Sequence, residues 1–233
     1  MNAHLPPDHP PVKPRKIGVL LLNLGTPDGT DYWSVRRYLK EFLSDPRVIE
    51  TPKWLWWPIL NLGILSFRPQ KTGANYAKIW DKRTDESPLR VITRGQAEKL
   101  QDAMAADGVI VEYGMRYGNP STESAIKKLH EQGCEKVLLF PLYPQYSATT
   151  TATANDQAFR ALANIRWQPA VRTVPAYFED LRRDAGKLDP RRRGKARLRA
   201  RSGDYLVSRH AQILSGQGRS LSLPVLQDDT VGA

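Results

Sequence analysis

Lys16-Ile17-Gly18-Val19-Leu20-Leu21-Leu22-Asn23 is a short apolar run with no polar residue between Ile17 and Leu22. A strand with one wet face alternates polar and apolar side chains. A continuous run is what a parallel strand buried on both faces requires. Similar runs occur at 109–115, 136–142 and 170–174. Between them the apolar spacing is helical, over 31–43, 93–106, 122–132 and 150–165. Gly108 and Gly133 punctuate helix ends, and Ser121 is placed to cap the helix that follows it. Strands alternating with helices imply right-handed crossovers and a doubly wound parallel sheet, an α/β fold.

In such sheets ligands bind beyond the carboxyl ends of the strands. Those ends read Leu24-Gly-Thr-Pro27, Arg116-Tyr-Gly-Asn-Pro120 and Tyr143-Pro-Gln-Tyr-Ser147. They carry turn residues, aromatics and hydroxyls, without a His, Asp or Glu cluster. Neither a Gly-rich dinucleotide fingerprint nor a phosphate loop is present. The edge suits something flat and apolar with a polar rim better than it suits a nucleotide.

The 233 residues carry a net charge of +11, which invites a nucleic-acid reading until it is partitioned. Residues 181–233 hold 12 Lys and Arg against 5 Asp, leaving a nearly balanced body of 23 basic and 19 acidic residues. The single cysteine, Cys134, excludes an internal disulfide and reads as a small core residue. Residues 1–14 are polar and proline-rich, unlike a secretory signal, so a cytoplasmic protein is expected. The longest apolar run, 54–67, contains Pro58 and falls short of the roughly 20 residues that span a bilayer. It is suited to lie against a membrane surface or to form a greasy lip around an apolar ligand. The grouping of Trp54, Trp56 and Trp57 around Pro58 favours exposure over core, and gives a peripheral membrane contact its candidate residues.

Four stretches carry a resemblance to a known family. Asn23-Leu-Gly-Thr-Pro27, Glu86-Ser-Pro-Leu89 and Phe140-Pro-Leu-Tyr-Pro-Gln-Tyr-Ser-Ala-Thr-Thr150 resemble ferrochelatases, in family order and spacing. Arg37-Tyr-Leu-Lys-Glu-Phe-Leu-Ser-Asp45 is similar to that family's first helix and the turn after it. The resemblance runs over 16–180. It implies the N-terminal of two similar doubly wound domains, with a porphyrin held in the cleft between them and ferrous iron inserted to make haem (a lyase of the metal chelatase kind). Ferrous iron and a protoporphyrin-type molecule are then substrates, with no permanently bound cofactor and no nucleic-acid partner expected. Leu24 would touch the macrocycle. Arg68, Tyr76 and Ser87 match positions lining the porphyrin site, with Arg116, Tyr146 and Ser147 at neighbouring strand ends. Arg68 suits a propionate, because a guanidinium meets a carboxylate in a bidentate fork. Bland alternatives stand beside these roles: Arg68 as solvation for the end of the apolar segment, Ser87 as a turn or cap, Ser147 as a helix cap.

The same resemblance implies a metal-site His in a Ser-Tyr/Phe-His-Gly motif and a Glu far downstream, and neither motif occurs here. His4 and His9 fall in an N-terminus (1–15) expected to be flexible, His130 on a helix with a solvated face, and His210 in an arginine-rich stretch. Residues 181–233 show no sustained period and are expected to be a disordered, non-native tail. Back-translation supplies a reason. Spelled CAT GCC CAG, His210-Ala211-Gln212 reads one base later as ATG CCC AG. The same shift carried over 208–230 can return a run resembling the family's metal-site motif and the segment after it. The tail therefore reads as out of frame, and the chain as a truncated and inactive member. A porphyrin-binding half-domain without catalysis and a basic-tail nucleic-acid binder are the alternatives.

Overall fold

A computed structural model describes residues 16–181. The expected flexible N-terminus, His4, His9, His210 and the tail from 182 onward lie outside the described residues. Leu181, assigned to the tail by its sequence, ends a helical turn over 178–181 and packs on the core.

Four parallel strands form one sheet in the order β2-β1-β3-β4: β1 Lys16–Thr26, β2 Val109–Gly118, β3 Cys134–Pro141 and β4 Ala170–Thr173. The chain thus steps from β1 to β2 on one side and back across β1 to β3 on the other, which makes the β1/β3 boundary the topological switch point. The apolar run of β1 occupies the centre, where both faces are covered. Its pleat divides it: Val19 and Leu21 join one core, Leu20 and Leu22 the other. On the first face lies α4 (Pro88–Met104), through Ala97, Leu100 and Met104. On the second lie α5 (Thr122–Glu131) and α6 (Thr153–Ala163), through Ala125, Ile126, Leu129, Ala154, Ala158 and Leu162. Fully burying each of these leucines stabilises the fold by about 1.5–3 kcal/mol, and truncating Leu20 to alanine would cost about 2–5 kcal/mol. The doubly wound α/β fold expected from the sequence is what forms.

A third apolar cluster sits beyond the carboxyl end of β1. It joins Val35, Tyr38, Leu39 and Leu43 of α1 (Tyr32–Leu43) to Leu60, Leu65 and the buried Tyr117. Leu60 and Leu65 belong to a run of consecutive helices: α2 (Lys53–Pro58), a π-helical stretch (Ile59–Ile64) and α3 (Leu65–Ile79). α3 closes tightly on the β1–α1 loop because Gly73 has no side chain. A Cβ there would stand 2.3 Å from the Thr30 carbonyl oxygen.

Several boundaries differ from the sequence reading. β1 and β2 run three residues further, since Gly25 pairs with Tyr117 and Thr26 with Gly118. That close pairing rests on glycine: Gly25 has φ 105°, and a Cβ on it would lie 1.8 Å from the Tyr117 carbonyl oxygen. α4 begins at Pro88 rather than near 93, because Ser87 accepts from the Arg90 amide and Pro88 takes the first helical position. The helix expected over 150–165 starts as a π-helical turn, Ala148–Ala152, before α6.

Candidate functional site

The loops that follow β1, β2 and β3 share one edge of the sheet, and every sequence-predicted site residue lies on that edge or on the helices stacked over it. Leu24 is half-buried against the third cluster. Tyr76 meets Tyr38 edge-on, with ring centroids 6.4 Å apart, and the Tyr38 hydroxyl donates to the Gly25 carbonyl at 3.4 Å. Leu24's strand end and Tyr76 are therefore linked through one side chain of α1. Burial pushes the Tyr38 phenol well above its usual range, so it stays a donor. Arg68 is exposed, and Arg68, Thr72 and Tyr76 follow one i, i+4 row along α3. Tyr146 is 65% exposed in the loop after β3.

Ser87 and Arg116 turn out otherwise. Ser87 is 1% exposed and its hydroxyl caps α4, so the cap reading describes it and a direct porphyrin contact does not. Ser147 likewise caps the π-helical turn, accepting from the Thr149 amide at 3.3 Å. Arg116 is 6% exposed, because β2 runs on past it, pairing with β1 at Met115 and Tyr117 on either side, and its side chain points into the structure instead of out of a loop. There it meets Asp45, which is itself 3% exposed.

Arg116 donates to the Asp45 carboxylate and, through Nε, to the Thr153 hydroxyl at 2.7 Å. Thr153 in turn donates to Asp45, as does the Tyr117 hydroxyl at 2.8 Å, while the Arg47 amide donates to the other carboxylate oxygen at 2.8 Å. The guanidinium carbon stands 4.2 Å from the Tyr117 ring centroid. Burial alone would raise the Asp45 carboxyl. Hydrogen bonds from Thr153, the Arg47 amide and Tyr117, with the Arg116 charge, overcome that and hold it at about 2. Tyr117, buried and already donating to a carboxylate, is pushed up to about 12. This node staples the α1 turn, the end of β2 and the start of α6 together.

Asp45, Thr153 and Arg90 escaped the sequence reading for one reason. Their partners are 62 to 108 residues away in sequence, a separation at which no local pattern exists. The start of α4 did have a signal, the Ser-Pro pair of a capped helix.

Among the described residues no group of three His, Cys, Asp or Glu could hold a metal ion. His130, in the last turn of α5, faces the Trp167 ring with centroids 5.9 Å apart at the opposite end of the sheet. Cys134 starts β3 at that same far end, buried against Gly18, and burial pushes its thiol up, as befits an inert core residue.

The ferrochelatase family's sequence profile matches residues 16–182. This chain belongs to the ferrochelatase family. It is 61% identical over 176 residues to the ferrochelatase of Chelativorans sp. (strain BNC1), covering 75% of this chain and 50% of that protein. The ferrochelatase of Rhodobacter capsulatus is 58% identical over 179 residues, covering 75% of this chain and 51% of its own length. That of Allorhizobium ampelinum is 58% identical over 178 residues, with 76% and 52% covered. The chain spans about half the length of the curated ferrochelatases it matches.

No helix among the described residues is long and apolar enough to cross a membrane. The chain nevertheless presents apolar side chains to solvent over 54–67, with Trp54 and Phe67 each 79% exposed and Trp57 and Leu62 close behind. Trp56 does not belong with them. It is half-buried in the third cluster, and its indole N–H donates to the Leu43 carbonyl at 2.7 Å.

Proposed function

We propose that this chain supplies one wall of the porphyrin cleft of a ferrochelatase, the enzyme in which ferrous iron replaces the pyrrole protons of a porphyrin. The observation that carries the reading is the sheet edge itself. Leu24 packs on an apolar cluster at that edge, Tyr76 is linked to its strand end through Tyr38, and Arg68 and Tyr146 lie exposed on α3 and in the loop after β3, without the phosphate-binding features that a nucleotide would need. In this arrangement Leu24 and Tyr76 offer apolar and aromatic contact to the macrocycle, and the exposed Arg68 guanidinium meets a propionate. Ser87, Ser147 and Arg116 contribute by fixing the backbone beneath these groups. In this reading the stretch by itself binds a porphyrin without metalating it, since the metal-site His motif and downstream Glu that the resemblance implies do not occur in the sequence. The protein is cytoplasmic in this reading, and rests on a membrane surface through Trp54, Trp57, Leu62 and Phe67, the side from which an apolar porphyrin would arrive.

Titrating the chain with protoporphyrin and following the Soret band tests the assignment. Arg68→Ala and Tyr76→Ala should each weaken binding by about 1–3 kcal/mol where the contacts are desolvated. Unchanged titrations for both would remove these residues from the site. A parallel assay with ferrous iron should show no insertion above the uncatalysed rate.

A further inference from the structure

Arg90 lies in the first turn of α4 and is 8% exposed. Its amide donates to the Ser87 hydroxyl, while its guanidinium donates to the Pro27 carbonyl at 3.3 Å and to the Asp28 carboxylate at 2.9 Å. Asp28 accepts on its other oxygen from the Asn119 amide group at 2.8 Å. One side chain therefore ties together the start of α4, the loop after β1 and the loop after β2. The loop it grips begins at the end of β1, three residues beyond Leu24.

Arg90 Nε is buried without a hydrogen-bond partner among the described residues. A buried polar group left unpaired costs stability, so an arginine here is a poor choice for holding the fold alone. What it offers instead is geometry. Both bonds leave one terminal nitrogen, Nη2, whose two N–H groups are fixed in the guanidinium plane, whereas a lysine ammonium would reach the same carbonyl and carboxylate without that fixed direction. A second anchor nearby points the same way. The Asn23 amide donates to Thr93, one turn further along α4, at 2.9 Å, and Asn23 accepts from the Leu24 amide at 2.8 Å. Both flanks of Leu24 are thus referred to α4.

We infer that Arg90, acting through Asp28 and Pro27, is a positioning residue for the porphyrin wall, setting Leu24 and its loop at the depth the macrocycle requires. This rests on the porphyrin-binding reading above. A gap of about 0.5–1 Å forfeits a quarter to a half of a van der Waals contact, so loosening this anchor should show in the bound ligand before it shows in the fold.

The test uses the full chain and protoporphyrin, with the affinity and the Soret maximum of the bound form as readouts beside far-UV circular dichroism and thermal melting. Arg90→Gln should weaken binding by about tenfold and move the bound Soret maximum toward that of free porphyrin. Arg90→Lys and Asp28→Asn should do the same to a smaller degree while melting close to the parent. Were Arg90→Gln to lose its fold, Asp28→Asn and the exposed Asn119→Ala carry the test with the same expectation. Folded variants that keep the parental affinity and Soret maximum would overturn the inference. So would an affinity loss that merely tracks the fraction unfolded, with the bound spectrum unmoved. If instead the parent chain takes up no porphyrin, or Arg68→Ala and Tyr76→Ala change nothing, the wall itself is misassigned and the positioning role falls with it. Arg68→Ala and Tyr76→Ala altering binding while the Arg90 variants do not would leave the wall standing and remove Arg90 alone.

Discussion

The turn carrying Asp45 and the helical segment 53–67 are chain neighbours with opposite surfaces. At Asp45 four charged or hydroxyl-bearing side chains are taken out of water and satisfied by one another. A few residues on, Trp54, Trp57, Leu62 and Phe67 are left in it. The first arrangement fixes geometry, because a desolvated carboxylate with several donors has only one low-energy placement. The second contributes almost nothing to the fold, because apolar area that stays wet yields no hydrophobic stabilisation. Holding and touching have been given to different side chains, and Trp56 marks the boundary between them, half-buried against the third cluster with its N–H on the Leu43 carbonyl.

Removing a partner from the node is the strongest way to break that contrast. Asp45→Ala leaves the Arg116 charge buried without its carboxylate and should cost about 3–5 kcal/mol in urea unfolding. A loss under about 1 kcal/mol would place the pair with ordinary surface bridges. Acid probes the same group more gently. The folded carboxyl stands at about 2, below the ordinary 3.8, so its stabilisation is complete above the ordinary value and is lost as pH falls from there toward 2. Between those limits the parent should lose roughly 2 kcal/mol that an Asp45→Asn variant, already destabilised, does not lose. Parallel acid profiles for the two proteins would contradict the assignment.

The Arg47–Asp156 pair sharpens the comparison, since it joins the same turn to α6 but is 41% and 31% exposed. A double-mutant cycle on it should return only about 0.2–1 kcal/mol, and 1 M salt should shrink that further. A coupling as large as that of Asp45 with Arg116 would mean that burial is not what separates the two. Smallest of all on stability is the lip. Trp54→Ser with Trp57→Ser should shift the unfolding free energy by no more than about 0.5 kcal/mol, yet lower sedimentation with phospholipid vesicles. Trp56→Phe, by contrast, should destabilise without changing vesicle binding, and the reverse pattern would exchange the roles assigned to these tryptophans.

Much of this architecture is written locally. The unbroken run from Ile17 to Leu22 states that β1 is covered on both faces. The helical spacing of 122–132 states which face of α5 is buried, and Ser121 caps it as its position suggests. The motifs around Leu24, Ser87 and Tyr146 state the family and direct attention to one edge of the sheet. These are properties of neighbours in sequence, set by the strand period of two, the helix period of 3.6 and the chemistry of caps.

Only the tertiary structure decided what each polar group at that edge does. The sequence puts Arg116 at a strand end and Ser87 in a turn, both plausible ligand contacts. The fold extends β2 past Arg116, closes it against Asp45 from 71 residues away, and draws Ser87 under α4. Asp45, Thr153, Asp28 and Arg90 acquire their roles from partners that no window on the sequence contains. Secondary structure follows from short-range geometry, whereas the burial and pairing of a charge depend on which distant segments the folded chain brings within hydrogen-bond reach.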